Sequence, residues 1–195
     1  MIYEKTIIAP ENIEEQISKE ERYIIAKEGR KRHVDAILTS TARKKIVVAG
    51  PGTGKTYLFQ KILNGKKNTL TLTFVNALVE DLSLELRGLS DVKTLHSFAR
   101  SELSKATKEE VNLFPKLPLI IAEDAKFFLG QDIDFNHVFH NRDDENKHIE
   151  FYNKRREYYD KYYGYSDIIF ATVKYFEGVN EKIPIYEQIV VDEFQ

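Results

Sequence analysis

Apolar positions between residues 10 and 40 fall at helical spacing, with Ile13, Ile17, Ile24, Ile25, Val34, Ile37 and Leu38 as members. Helices are therefore expected before any strand. Three short apolar runs with β-branched content follow at residues 45–49, 69–75 and 91–94, and each leads into a stretch of helical spacing. The predicted helices are 54–63, closed near Gly65; 76–86, closed near Gly88; and 96–105. Strand and helix in alternation predict βαβ units, and hence an α/β fold whose parallel strands carry helices on both faces.

The rhythm changes at Ala106. Pro115 and Pro118 precede an apolar helical stretch at 119–129, a polar span at 141–147 and a tyrosine-rich helical pattern at 148–176. After Pro184 the strand rhythm resumes at 188–191. This reads as one α/β domain, residues 1–105 and 181–195, interrupted by a small helical insertion at 106–180. No internal repeat, low-complexity tract or Gly/Ser linker is present.

A chain of 195 residues, 42% hydrophobic and 31% charged, is ordinary for a folded domain carrying an insertion. No apolar run approaches the roughly 20 residues that cross a bilayer, and residues 1–15 show no signal core. A cytoplasmic protein without a membrane partner is expected. The absence of cysteine excludes disulfides, thiolate metal sites and cysteine nucleophiles. With a net charge of −2, no overall field draws nucleic acid, so any such contact is local. The basic runs Arg30-Lys31-Arg32 and Arg43-Lys44-Lys45 read either as solvated surface or as phosphate contacts.

The most specific chemistry lies in Ala49-Gly50-Pro51-Gly52-Thr53-Gly54-Lys55-Thr56, between the predicted strand Ile46-Val47-Val48 and the helix that follows. Glycines let a backbone curl around an anion with its N–H groups inward, and the next helix offers its N-terminal dipole to the same phosphates. Lys55 is placed to reach the β and γ phosphates of ATP, and Thr56 to hold Mg²⁺. The bland alternative is a glycine turn that binds nothing. A second element, Ile189-Val190-Val191-Asp192-Glu193-Phe194-Gln195, is an apolar strand ending in two acids. Asp192 would hold the Mg²⁺ shell, and Glu193 would orient and deprotonate the attacking water.

Taken together, AGPGTGKT and VVDEFQ resemble the superfamily 1A DNA helicases of the UvrD/Rep/PcrA type. Two further segments agree: Thr71-Leu72-Thr73-Phe74-Val75-Asn76-Ala77 resembles that family's motif Ia, and Thr94-Leu95-His96-Ser97-Phe98-Ala99 resembles motif Ib. Tyr165-Ser166-Asp167-Ile168-Ile169 is similar to the stretch that closes the family's helical 1B insertion. The resemblance implies a P-loop NTPase with a RecA-like parallel sheet, ATP and Mg²⁺ as cofactors, and Lys55, Glu193 and Gln195 as catalytic residues. It implies single-stranded DNA as partner, with Phe74, Asn76, Thr94 and His96 as contacts; strand-end packing and helix capping are the alternative roles for these four. The long interval between the two ATPase motifs, and Gln195, separate this reading from the AAA+ proteins. Ala49 stands where the pattern often has glycine, and His33 stands where an adenine-reading glutamine is expected. The family's second RecA-like domain, expected in a longer parent chain, supplies arginines that contribute about 10³ to 10⁵ in rate in related NTPases. Weak hydrolysis and weak DNA binding are expected of these 195 residues on their own.

Two weaker patterns remain. Asp134, His137, His140 and His148 have spacing compatible with a metal site or with a solvated polar stretch. Tyr152, Tyr158, Tyr159, Tyr162, Tyr163 and Tyr165, interleaved with Lys154, Arg155, Arg156 and Lys161, suit either DNA stacking or an amphipathic helix with tyrosine as its core. The functional reading is an ATP-dependent DNA helicase or translocase. The alternatives are a UvrD-like ATPase that acts in defence, repair signalling or remodelling without unwinding, and a nucleotide-gated DNA-binding module.

Overall fold

The computed structural model describes residues 18–50, 52–142, 147–179 and 182–192. The chain divides into two compact units, residues 1–62 and 63–195, taken here in turn. In the first, helix α1 (Lys19–Thr39) is started by a capping box: Glu21 N–H donates to Ser18 Oγ at 3.2 Å, and Ser18 N–H donates to Glu21 Oε2 at 2.9 Å. Hydrogen bonding from Ser18, by its backbone N–H first and its side chain second, holds the Glu21 carboxylate below the usual carboxyl range. The apolar positions of α1 form no core face. None of its residues is buried, with Ile24 and Ile25 both more than half exposed, because charged residues surround every side of the helix.

Residues 45–49 are a correction to the sequence reading, since no strand forms there. Ile46 is 87% and Val48 96% exposed. A β-strand exists only through a ladder partner, and among the described residues no strand pairs with this run. Helix α2 (Lys55–Leu63) then begins close to the predicted position, with Leu58 and Phe59 buried.

The second unit runs in the order β1 (Thr69–Thr73), α3 (Asn76–Glu85), β2 (Asp91–Thr94), α4 (Leu95–Thr107), β3 (Asn112–Leu113), α5 (Leu117–Leu129), α6 (Phe135–His140), α7 (Lys147–Arg156), a 3-10 turn Glu157–Tyr159, β4 (Tyr162–Tyr163), α8 (Tyr165–Gly178) and β5 (Gln188–Val191). The fold is mixed α/β with a small parallel sheet. Strand order among the described residues is β2-β1-β5, all parallel, so β1 is central and every one of its residues is buried. Leu70 and Leu72 take one face, and Thr69, Thr71 and Thr73 the other. Burying three hydroxyls is tolerable because each is bonded. Thr69 Oγ1 donates to Leu89 O, Thr71 Oγ1 donates to Ser90 Oγ at 2.9 Å, and Thr73 Oγ1 accepts from Val75 N–H at 3.2 Å.

Residues 106–178 are largely helical. Leu117, Ile121 and Ala125 of α5 meet Phe135, Val138 and Phe139 of α6 and Tyr152 of α7 in one buried cluster. A second cluster joins Ala99 and Leu103 of α4 to Val111 and Ile168 of α8. The helical pattern read over 148–176 is not continuous. Asp160 and Lys161 take left-handed φ values of 37° and 67°, after which β4 pairs with β3, Asn112 opposite Tyr162 and Leu113 opposite Tyr163. Pairing with β3 gives β4 a ladder that a straight helix would forgo.

Candidate nucleotide and nucleic-acid site

The glycine-rich loop at residues 49–56 belongs to the first unit. Gly52 and Gly54 sit at φ 70° and 89°, where a side chain is strained, and their freedom lets the chain turn into α2. Thr53 Oγ1 donates to Gly50 O at 2.7 Å and pins the bend. Leu58 N–H donates to Gly54 O at 3.1 Å, so the helix starts immediately behind the glycines. Ala49, Gly54, Lys55 and Thr56 are half-buried, while Gly50, Gly52 and Thr53 are exposed. Pro51 lies outside the described residues. A Cβ on Gly54 would come within 3.7 Å of Arg30 Cδ, so the α1 arginine borders the loop. A curled glycine backbone at a helix N-terminus, next to basic side chains, is suited to a polyphosphate. His33 lies on α1, exposed.

Phe74, Asn76, Thr94, His96 and Asp192 belong to the second unit, at the carboxyl ends of its strands. Register places Thr73 opposite Thr94 and Leu72 opposite Val191, so all three strands finish flush. Phe74, Asn76, Thr94, His96 and Asp192 therefore cluster at the carboxyl ends of parallel strands, the edge where open α/β sheets bind ligands. Asp192 follows β5 directly; its N–H donates to Leu72 O at 2.8 Å and the residue is buried. Glu193 and Gln195 lie outside the described residues.

Within that cluster the residues differ in availability. Phe74 is 43% exposed, just past the end of β1, and Asn76 is exposed at the start of α3. Thr94 is buried and caps α4, its Oγ1 accepting from Ser97 N–H at 3.1 Å. The His96 ring packs on Tyr165 of α8, centroids 4.5 Å apart, and burial holds its pKa below the ordinary histidine value. A neutral imidazole can stack or hydrogen-bond, but it does not pair as a cation with phosphate. The contact of Tyr165 with His96 was not legible in the sequence, because the two residues are remote from each other along the chain.

The histidines of the insertion have local roles. Asp134 caps α6 by accepting from His137 N–H at 3.2 Å, His137 Nε2 lies 2.8 Å from Asn141 Nδ2, and His140 Nε2 lies 3.3 Å from Ser166 Oγ. Among the described residues no group of three or more His, Asp or Glu is arranged to hold a metal ion. The tyrosines differ in burial. Tyr152 is fully buried core, whereas Tyr158 is 77% exposed. No helix of the described residues is long and apolar enough to cross a membrane. Comparison with protein-family models, curated proteins and solved structures finds no match for this chain.

Proposed function

We propose that this chain is the ATP-binding portion of a P-loop NTPase of the UvrD/Rep helicase type, which couples ATP hydrolysis to movement on single-stranded DNA. The observation that carries the reading is the loop at Gly50–Lys55, where two left-handed glycines lead straight into the N-terminus of α2. In this reading the loop N–H groups and the Lys55 ammonium hold the ATP phosphates, and Thr56 and Asp192 bind Mg²⁺. Glu193 activates water, with Gln195 beside it. Phe74 and Asn76, exposed at the carboxyl edge of the sheet, offer a stacking ring and an amide to a DNA strand. A second RecA-like domain in a longer parent chain would complete the charge stabilisation.

The test is calorimetric titration of the chain with Mg·ATP, followed by phosphate release with and without single-stranded oligonucleotide in the parent protein. Binding in the first and DNA stimulation in the second are expected. No nucleotide binding sinks the ATPase reading; binding without DNA stimulation sinks the translocase reading alone.

A further inference from the structure

Phe114, Tyr158, Tyr159, Asp160 and Tyr162 line one cavity of about 440 Å³ at the surface of the second unit. Four aromatic residues and one aspartate form this lining, with no lysine or arginine in it. Phe114 and Tyr162 stand edge to face, centroids 6.1 Å apart. The β3–β4 ladder holds them in place, since Phe114 N–H donates to Tyr163 O at 2.7 Å and Asn112 N–H to Lys161 O at 3.0 Å. Two of the rings are not explained as core: Tyr158 is 77% and Tyr162 41% exposed. Asp160 and Lys161 are consecutive non-glycine residues in left-handed conformation, a costly backbone arrangement that clusters at ligand clamps.

The charges around the cavity are already sorted. Lys161 pairs with Glu109 at 3.7 Å, and Arg155 is held by Asp124 Oδ2 at 2.8 and 2.6 Å while it lies over Tyr158, 5.0 Å from the ring centroid. Each of these two cations thus has a carboxylate partner, and Asp160 lines the same space as the four aromatic residues. An anion or a nucleic-acid phosphate is disfavoured there. A lysine ammonium must give up strong hydration to enter, whereas an N-methylated ammonium has few or no N–H groups to satisfy and spreads its charge over methyls that pack on rings.

We propose that this cavity is an aromatic cage for an N-methylated ammonium, the head group shared by choline and trimethyllysine, with Tyr158 and Tyr162 as walls and Asp160 as counter-ion. The full chain is titrated with choline, a trimethyllysine peptide, the same peptide unmethylated, and 3,3-dimethylbutanol, the uncharged analogue of choline, by calorimetry and ligand-observed NMR. Choline or the trimethyllysine peptide should bind at least tenfold more tightly than its uncharged or unmethylated counterpart. Tyr158→Ala should weaken binding by about fivefold or more and Asp160→Asn by several-fold; Tyr158 is largely exposed and asparagine tolerates the left-handed region, so both variants should fold. Comparable binding of choline and peptide assigns the source to a free head group, and tighter peptide binding to a modified protein. Equal binding of 3,3-dimethylbutanol, indifference to Tyr158→Ala, no binding of either cation at tens of millimolar, or a Tyr158-dependent single-stranded oligonucleotide in their place would each overturn the proposal.

Discussion

The Tyr152 hydroxyl donates to Asp167 Oδ2 at 3.0 Å, joining α7 to α8 inside the second unit with both residues buried. The other carboxyl oxygen, Oδ1, is buried and has no hydrogen-bond partner among the described residues. A charge there is only half satisfied. Burial accordingly pushes the Asp167 pKa up to about 7, against the opposing pull of the Tyr152 hydrogen bond, the Arg156 charge and nearby backbone N–H groups.

That shift makes stability depend on pH. Below the unfolded value of 3.8 the carboxyl is neutral in both states, and its burial carries no charge penalty. As pH rises toward about 7 the unfolded chain releases the proton while the folded chain keeps it, so stability falls; above that pH the loss is complete. The size is on the order of 4 kcal/mol from a shift of about three pH units. Asp167→Asn keeps an acceptor for Tyr152 and removes the titration. Urea unfolding at pH 5 and pH 8 should show wild type losing about 2 to 3 kcal/mol relative to this variant at the higher pH, the remainder of the loss having occurred below pH 5. Parallel changes in both proteins would place the pH dependence elsewhere.

Gly164, the residue before α8, is fixed by packing instead of by backbone freedom. A Cβ at this position would sit 2.5 Å from Pro118 Cδ and 2.6 Å from Pro118 Cγ, and the proline ring on α5 cannot swing aside. Gly164→Ala should destabilise the protein by about 1 to 3 kcal/mol through overpacking. Adding Pro118→Ala should recover part of that loss in a double-mutant cycle of thermal melts. A purely additive cycle would refute the contact as the cause.

How far such features were legible depends on whether their cause is local. The runs 69–75, 91–94 and 188–191 announced strands through their β-branched content, and each found a parallel neighbour, the first as a strand ending at Thr73. Residues 45–49 carry a similar composition and have no ladder partner among the described residues, because ladder partners are set by tertiary structure. The turn at Asp160 and Lys161 was missed, since a single aspartate, although a common turn residue, is a weak signal inside a stretch of helical spacing, and it converted an expected single helix into α7, a short ladder and α8. The site divides in the same way. The glycine loop could be read from spacing, whereas the packing of His96 on Tyr165 and the clasp of Asp167 by Tyr152 join residues that no motif connects.

Lys55 and Gly54 test the phosphate loop by different routes. Lys55→Ala removes the charge expected to meet the β and γ phosphates and should weaken Mg·ATP binding at least tenfold, about 1.4 kcal/mol. Gly54→Val should also lose binding, because φ at 89° strains any β-branched residue and the new side chain would crowd Arg30. Calorimetric titration of each variant, with a melt to confirm folding, distinguishes lost charge from a lost cradle. Undiminished affinity in Lys55→Ala would remove that residue from the site.

Phe74 is where a DNA role and a packing role are most cleanly separated. It is 43% exposed at the end of β1, so truncation to alanine should cost less stability than the roughly 3 to 5 kcal/mol of a core phenylalanine. If a base stacks on the ring, Phe74→Ala should weaken binding of single-stranded oligonucleotides by about 1 to 3 kcal/mol. With a net charge of −2, the wild-type affinity for DNA is expected near the non-specific range, with Kd of about 10⁻⁴ to 10⁻⁶ M that should rise with salt as counterion release becomes less favourable. Fluorescence anisotropy at two salt concentrations, paired with melts of both proteins, reads the two effects separately. A variant that binds as wild type does, or that loses binding only in step with folding, would remove Phe74 from the DNA path.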